Sequence, residues 1–211
     1  MVSLRKEKTE KYTYEDYKTW NDDVRREIID GHVYNMAAPS QRHQRVLGEI
    51  FVKFHVHLKG KSCDVFMAPS DVRLNFDTSD DTVVQPDMFV VCDKNKLDGQ
   101  NCNGAPDIVL EILSPSTSTK DKFKKFNAYL NASVAEYWVV DPAEKIITVY
   151  TLSEEGYTAK NYGVRPPKPT NENEVAEWEI DMKDWKEEWE IIKVTRLGEL
   201  EIDLNEIFES L

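Results

Sequence analysis

The chain has 211 residues, of which 40% are hydrophobic and 31% are charged, and its formal net charge at pH 7 is −12. This length allows one sizeable domain and leaves little room for a second independent core. The composition is that of a globular protein, and no apolar run is long enough to span a bilayer. The acidic excess argues against a surface that coats nucleic acid generally, but it is compatible with a confined basic patch.

The N-terminus and the cysteines predict domain limits and compartment. Residues 1–11 are charged and lack the apolar core of a secretory signal, so we predict a flexible tail there and a single domain over residues 12–211. The cysteines, Cys63, Cys92 and Cys102, are odd in number and form no Cys-x-x-Cys pair, which predicts that all are reduced. These features together predict a cytoplasmic protein.

Local patterns near the N-terminus predict a short helix and a hairpin. Thr13 and Asp16 have the spacing of a capping box, which predicts a helix reaching about Trp20. Asp30 and Gly31 stand between two apolar-bearing arms and supply the positive-φ positions of a two-residue hairpin turn.

A longer helix is predicted next. Ser40 is a good N-cap, and Gly60 is a typical helix terminator. Apolar residues recur between them at helical spacing, namely Leu47, Ile50, Phe51, Phe54 and Leu58. Residues 64–76 then have strand character, broken near Pro69.

Two short apolar runs form the predicted centre of the fold, residues 83–91 (VVQPDMFVV) and 105–114 (APDIVLEILS). Both are rich in β-branched residues and bounded by turn formers, which predicts strands buried on both faces. Each contains an acid that such a strand should not tolerate unpaired, Asp87 in the first and Glu111 in the second. Residues 94–104 between the runs read as a polar loop.

The second half predicts a helix and further strands. A Ser/Thr cluster at residues 114–119 can cap a helix whose predicted apolar face consists of Phe123, Phe126, Tyr129 and Leu130. Residues 136–140 and 145–152 predict two strands around an Asp-Pro turn. The alternation of helices and buried strands indicates an α/β or α+β fold.

The C-terminal region is harder to interpret. An acidic Trp-rich segment at about residues 165–195 holds Trp185 and Trp189 at helical spacing, yet residues 190–195 equally suit a strand. Beyond it, residues 199–202 predict a strand, and Asp203 predicts the cap of a short terminal helix.

The chain resembles a large bacterial family of restriction-endonuclease-like proteins, abundant in cyanobacteria, of the PD-(D/E)XK nuclease superfamily. Five motifs carry the resemblance: residues 27–31 (EIIDG), 39–43 (PSQRH), 84–87 (VQPD), 104–116 (GAPDIVLEILSPS) and 136–142 (EYWVVDP). The resemblance implies a restriction-endonuclease-like core, with a mixed central sheet flanked by helices. It also implies a Mg²⁺-dependent (or Mn²⁺-dependent) endonuclease that hydrolyses phosphodiester bonds in DNA, and a homodimer.

The chemistry of the paired acids agrees with that implication. Asp87 and Glu111, on adjacent strands, would supply the one or two carboxylates with which proteins bind Mg²⁺. Such a cation neutralises a scissile phosphate and lowers the pKa of an attacking water. The rival interpretation of Asp87 is a residue that caps or bends a strand.

The superfamily's lysine stands two residues after the glutamate, where this chain has Leu113. In members of this family the lysine has moved to the following helix, and the resemblance assigns it to Lys125. On a helix Lys125 shares one face with Asp121 and Tyr129, and Lys122 and Lys124 point elsewhere. Lysine clusters on helices are otherwise usually solvated.

Further site candidates are Glu27, His43, Asp107, Asp121 and Tyr129. Glu27 precedes the hairpin turn, where an exposed charge is the default, and the resemblance makes it an additional cleft acid. His43 is more often a capping or surface residue at such a position. Asp107 shares strand parity with Glu111 and either faces the same cleft or merely begins the strand, the second being our expectation.

Two rival functions remain open. The missing Glu-x-Lys pair and the acidic net charge favour a binding or regulatory protein on a nuclease fold, and a metal-dependent enzyme acting on a nucleotide is the third hypothesis. A basic patch beside the acids would favour nucleic acid. The candidate residues for that patch are Arg42, Arg45, Lys53, Lys120, Lys122 and Lys124.

Overall fold

The computed structural model describes residues 11–114, 119–166, 168–171, 174–175, 179, 182–183, 185–209 and 211, with side chains for all of these except 119–121 and 187. The helices are α1 (Tyr14–Tyr17), α2 (Gln41–Leu58), α3 (Thr119–Asn131) and α4 (Leu204–Phe208). The strands are β1 (Arg26–Ile29), β2 (His32–Asn35), β3 (Asp64–Met67), β4 (Asp71–Arg73), β5 (Val83–Val84), β6 (Met88–Val91), β7 (Asn101–Asn103), β8 (Ile108–Ile112), β9 (Glu136–Asp141), β10 (Ile146–Ser153), β11 (Gly156–Gly163), β12 (Ile191–Val194) and β13 (Leu200–Asp203).

The helices and strands form a mixed α+β architecture. A six-stranded sheet has the order β11-β10-β9-β8-β6-β3, a five-stranded sheet has the order β2-β1-β5-β4-β7, and β12 pairs with β13. The pairs β8–β9 and β4–β7 are parallel, whereas β6 runs antiparallel to both β3 and β8. The prediction of a mixed central sheet flanked by helices is confirmed.

The central strands β6 and β8 of the six-stranded sheet are buried on both faces, as the apolar runs predict. Met88, Val90 and Leu110 face one core, which also contains the buried stripe of α2 and the C-terminal elements β12, β13 and α4. Phe89 and Val109 face a second core, shared with α3 and the five-stranded sheet. Because side chains alternate along a strand, odd-numbered positions of β6 and β8 point toward the second core.

Several local predictions are confirmed. The Asp16 carboxylate accepts hydrogen bonds from the Thr13 backbone N–H at 2.8 Å and from its hydroxyl at 3.0 Å, although α1 ends at Tyr17 rather than near Trp20. Asp30 and Gly31 have φ values of 51° and 78°, as a two-residue hairpin turn requires.

The longer helix also has its predicted limits. Ser40 Oγ accepts a hydrogen bond from the His43 backbone N–H at 3.2 Å and so caps α2. The helix ends at Leu58, and Gly60 follows with a φ of 79°.

The run at residues 83–91 is two strands rather than one. β5 pairs with β1 and β4 in the five-stranded sheet, and β6 pairs with β3 and β8 in the six-stranded sheet. The intervening Gln85, Pro86 and Asp87 carry the chain from one sheet to the other. Proline has no N–H to continue a strand ladder, which explains the break at this point.

Other elements differ from the prediction. Residues 94–104 are not simply a loop, because they contain a 3₁₀ turn (Lys94–Lys96) and the short strand β7. The edge strand β11 was not expected, since its polar, largely exposed sequence does not show the apolar pattern of a buried strand. In the ambiguous C-terminal region the strand alternative holds, as β12 follows a 3₁₀ turn that ends at Trp189. The cap of α4 is confirmed, with Asp203 Oδ1 accepting from the Asn205 N–H at 2.8 Å.

The cysteine prediction is wrong for two of the three residues. Cys63 and Cys92 form a disulfide, and Cys102 is free and buried. Asp64 pairs with Val91 across β3 and β6, so the next residues outward, Cys63 and Cys92, stand opposite each other. The cysteines therefore give no support to the cytoplasmic prediction. Among the described residues, no helix combines the length and the apolar character needed to cross a membrane.

Candidate active site

The candidate site lies where the two larger sheets meet, in a cleft of about 310 Å³. β1 contributes Glu27 from the five-stranded sheet, and Glu111 comes from β8 of the six-stranded sheet. His43 from α2, Lys125 from α3 and Asp87 from the crossing between β5 and β6 complete this group. Five segments that are distant in sequence are thus brought together at one junction.

Asp87 and Glu111 lie on the same face of the six-stranded sheet. Met88 pairs with Leu110 across β6 and β8, so the same register places Asp87 opposite Glu111. Directly opposed residues of an antiparallel pair have Cβ atoms roughly 4.5–5.5 Å apart. Both carboxylates therefore project into the cleft from neighbouring strands.

One oxygen of Asp87 is held by the protein. Asp87 Oδ2 accepts a hydrogen bond from the Ile112 backbone N–H at 2.8 Å and lies 3.0 Å from His43 Nε2. His43 is 5% exposed, and its Nδ1 is buried without a hydrogen-bond partner among the described residues. His43 thus orients Asp87 from the first turn of α2. Asp87 Oδ1 has no hydrogen bond within the described part of the chain.

The same pattern recurs at Glu111. Its Oε1 accepts hydrogen bonds from Lys125 Nζ at 2.9 Å and from the Tyr129 hydroxyl at 2.6 Å. Its Oε2 has no hydrogen bond to the residues that are described. Burial raises the pKa of Glu111 to about 7; the Lys125 ammonium opposes this shift, and the charges of Asp87 and Glu27 add to it.

Glu27 is the third carboxylate of the cleft and is only 4% exposed. Its Oε1 lies 2.9 Å from Lys125 Nζ and accepts a hydrogen bond from the Gln85 backbone N–H at 2.8 Å. Burial lowers the pKa of Lys125, but the charges of Glu111 and Glu27 more than offset it, so the net shift is upward. Lys125 therefore remains an ammonium between two acids.

Helix α3 is rotated relative to the prediction. Phe123, expected on the packed face, is 66% exposed, and Ala128, not expected there, is buried; Tyr129 is buried as predicted. The Lys125 side chain is only 18% exposed and lies on the buried side, with Tyr129 as the helix spacing predicts. The two carboxylates beneath α3 explain the rotation, because they accept a lysine where an apolar residue would leave them unpaired. Phe126 packs as expected, with its ring 5.1 Å from that of Tyr150.

Other candidates lie elsewhere. Asp107 is outside the cleft, where its Oδ2 accepts a hydrogen bond from the Cys92 N–H at 2.8 Å. The side chain of Asp121 lies outside the described part of the chain. The residues of the predicted basic patch do not gather at the cleft. Lys53 pairs with Glu206, and of the described side chains of that patch only Lys124 lines the cleft. The expectation that Lys124 points away from the site is wrong, because its Nζ donates to the Tyr34 hydroxyl at 2.7 Å.

Sequence reasoning missed Arg25 and the side-chain role of Gln85. Arg25 lines the cleft, and its Nε and Nη2 donate to Gln85 Oε1 at 3.1 and 2.8 Å. Two signals were available: Arg25 shares strand parity with Glu27, and Gln85 is a polar residue inside an apolar run.

The donor set of the cleft fits a hard divalent cation. Within the described residues, no group of three or more His, Cys, Asp and Glu side chains is arranged to hold a metal ion. Mg²⁺, however, commonly takes only one or two protein carboxylates and completes its shell with water and substrate phosphate. Asp87 and Glu111 offer two carboxylates, and neither Asp87 Oδ1 nor Glu111 Oε2 is hydrogen-bonded to a described residue.

The fold and this cleft together define a mixed α+β protein with an acidic cleft between its two larger sheets. A solved structure from Anabaena variabilis ATCC 29413, described as "a putative nuclease belonging to DUF820", matches with a TM-score of 0.64 over 94% of this chain and 98% of that chain. Its sequence identity is 16%, so the likeness is one of fold.

The family is shown by a second comparison. A family model described as "Uma2: Putative restriction endonuclease" matches residues 13–183, and the chain belongs to that family. The uncharacterized protein slr1290 of Synechocystis sp. (strain ATCC 27184 / PCC 6803 / Kazusa) is 28% identical over 149 residues, covering 69% of this chain and 77% of that protein. The match to the family model continues beyond the last of the five motifs, at residues 136–142, and into the acidic Trp-rich segment.

Proposed function

We propose that this protein is a divalent-cation-dependent endonuclease that hydrolyses phosphodiester bonds in DNA. One observation carries the proposal: Asp87 and Glu111 face each other across neighbouring strands, each with one oxygen fixed by the protein and the other without a hydrogen bond to the described residues. Asp87 and Glu111 would hold Mg²⁺ or Mn²⁺, which supplies charge neutralisation at the scissile phosphate and a water of lowered pKa.

The remaining side chains take supporting roles around that pair. Lys125 is close enough to Glu111 to orient the attacking water or to stabilise the charge that develops on the phosphate. Glu27 and Tyr129 fix the positions of Lys125 and Glu111 through short hydrogen bonds, and His43 does so for Asp87. The rival function of a non-cleaving binding protein rests on Leu113 at the usual lysine position and on the acidic net charge; the position of Lys125 beside Glu111 weakens the first of these grounds and leaves the second.

A cleavage assay tests the proposal. Supercoiled plasmid and short single-stranded DNA are incubated with wild-type protein and Mg²⁺ or Mn²⁺, with EDTA as the control. We expect nicking or linearisation that requires the metal and that is lost in Asp87→Asn and Glu111→Gln. If the folded wild-type protein cuts neither substrate with either metal, the binding or regulatory function takes precedence.

A further inference from the structure

Arg25 presents a cation to the cleft that no described carboxylate neutralises. It immediately precedes β1, so strand alternation places it on the same face as Glu27 and Ile29, and all three line the cleft. The next residue, Arg26, lies on the other face and is held by Asp22 through two hydrogen bonds of 2.5 and 2.7 Å. Of these two neighbouring arginines, only Arg26 forms an ion pair with a carboxylate among the described residues.

Gln85 fixes the position of the Arg25 guanidinium. Gln85 is 8% exposed, and its side-chain oxygen accepts both hydrogen bonds from Arg25. Its side-chain nitrogen donates to the Tyr17 hydroxyl at 3.0 Å and to Asp71 Oδ1 at 2.8 Å. Because both amide hydrogens are committed, the amide cannot turn over, and its oxygen stays directed at Arg25.

The same residue also links Arg25 to the acids. The backbone N–H of Gln85 donates to Glu27 Oε1, and two residues further on is Asp87. Arg25 and Gln85 also line a second cavity of about 300 Å³, which Arg26, Asp22 and Asp23 border as well, so Arg25 stands where the two cavities adjoin. A guanidinium has five N–H donors, and Gln85 occupies two of them. The remaining donors suit the planar, paired recognition of phosphate oxygens.

We propose that Arg25 binds a phosphate of the nucleic-acid backbone adjacent to the phosphodiester at Asp87 and Glu111, and that Gln85 is its positioning residue. The inference rests on the proposed function for the nature of the substrate. It adds a phosphate-binding residue outside the carboxylate–lysine group, and it explains how a chain of net charge −12 holds an anionic polymer at one place.

Binding measured without cleavage tests this inference. The affinity for a labelled single-stranded DNA oligonucleotide is followed by fluorescence anisotropy in EDTA at several salt concentrations. Arg25→Gln should weaken binding about tenfold or more, as the loss of a charge-assisted hydrogen bond does, and should lower the slope of log affinity against log salt by about 0.7. Lys193→Gln, the control at an exposed lysine that lines neither cavity, should leave both quantities unchanged. Equal binding by wild type and Arg25→Gln, or no binding by wild type, would overturn the inference.

Two further variants separate charge from geometry. Arg25→Lys keeps the charge but not the paired hydrogen bonds, so it should retain the salt slope and lose part of the affinity. Gln85→Glu places a carboxylate against Arg25 and should reduce the slope as Arg25→Gln does. A Gln85→Glu variant that folds and keeps the wild-type slope contradicts the positioning role.

The two proposals fail in distinguishable ways. If wild type binds DNA through Arg25 yet cuts nothing, the phosphate site stands and the nuclease function falls. If wild type cuts DNA and Arg25→Gln both cuts and binds as well as wild type, the nuclease function stands and the Arg25 site falls.

Discussion

A lysine ammonium between two buried carboxylates is stable only as part of the set. Lys125 Nζ lies 2.9 Å from an oxygen of both Glu27 and Glu111, and each pair is largely removed from solvent. Burying such charges is costly, and removing one partner leaves the others uncompensated. The group is therefore expected where function requires it, since apolar residues would stabilise the same junction more simply.

Lys125→Met removes this charge and keeps most of the side-chain volume. We expect turnover to fall by roughly a hundredfold or more, as when a general acid–base or charge-stabilising group is lost. Binding of Mg²⁺ should persist, because Asp87 and Glu111 remain. It is measured as a rise in melting temperature when the metal is added. Lys193→Met is the control, since Lys193 pairs with Glu201 on the exposed surface of β12 and β13. Wild-type turnover in Lys125→Met would rule out the assigned role.

Glu111 predicts a pH dependence of stability in metal-free protein. Its pKa is raised from 4.5 to about 7 on folding, mainly by burial. Between these values the folded carboxyl retains a proton that the unfolded carboxyl has released, so this residue's contribution to stability is fully present below pH 4.5 and is lost as the pH rises to 7. The free energy of unfolding is measured by urea denaturation in EDTA across this range. For wild type it should fall relative to that of Glu111→Gln as the pH rises. Parallel profiles would contradict the raised pKa.

At the scale of elements, the start of α2 couples helix stability to the site. Ser40 caps the helix through the backbone N–H of His43, the residue whose ring contacts Asp87. Ser40→Ala should lower the free energy of unfolding by about 1 kcal/mol, measured by urea denaturation. Ser40→Asp, which keeps an acceptor and places a negative charge at the helix N-terminus, should be at least as stable as wild type. A loss as large in Ser40→Asp as in Ser40→Ala would show that the cap is not responsible.

Elements with a strong local signal could be predicted from the sequence, and those set by distant contacts could not. The hairpin at Asp30 and Gly31 and the helix after Ser40 follow from turn chemistry and apolar spacing. The split of residues 83–91 depends on which sheet each half joins, which alternation alone does not specify. β11 is an exposed edge strand whose pairing with β10 does not require an apolar face.

The candidate site shows the same division. Asp87 and Glu111 could be found because an acid inside a buried strand conflicts with its surroundings. Lys125 has no such conflict in sequence, and only the family resemblance selected it. Lys124 and Arg25 were not predicted as site residues because surface cations are common. Their place at the cleft depends on how the two larger sheets meet.

At the scale of the whole molecule, a bound cation should stabilise the fold. Asp87 and Glu111 come together only in the native state, so Mg²⁺ or Mn²⁺ that binds there should raise the melting temperature in a concentration-dependent way. Asp87→Asn should abolish the rise while leaving the protein folded in EDTA. Differential scanning calorimetry with and without metal measures both effects. A rise of equal size in wild type and Asp87→Asn would mean that the cation binds elsewhere.

The C-terminal elements belong to the same core as the six-stranded sheet. Ile202 and Phe208 are fully buried in one cluster with Phe54 of α2 and Trp138 of β9. This packing joins the described C-terminal residues to the core of the six-stranded sheet. A single domain over residues 12–211, a homodimeric state and a cytoplasmic location stay predictions.

The junction between the two larger sheets determines when, during synthesis of the chain, the candidate site can assemble. Glu27 is made early in synthesis, Asp87 and Glu111 follow, and Lys125 comes last of the four. Because Lys125 contacts both Glu27 and Glu111, the group closes only after both sheets have formed and α3 has packed across them. Nascent or partly degraded chains that lack any of these elements could therefore not assemble the group of Glu27, Asp87, Glu111 and Lys125.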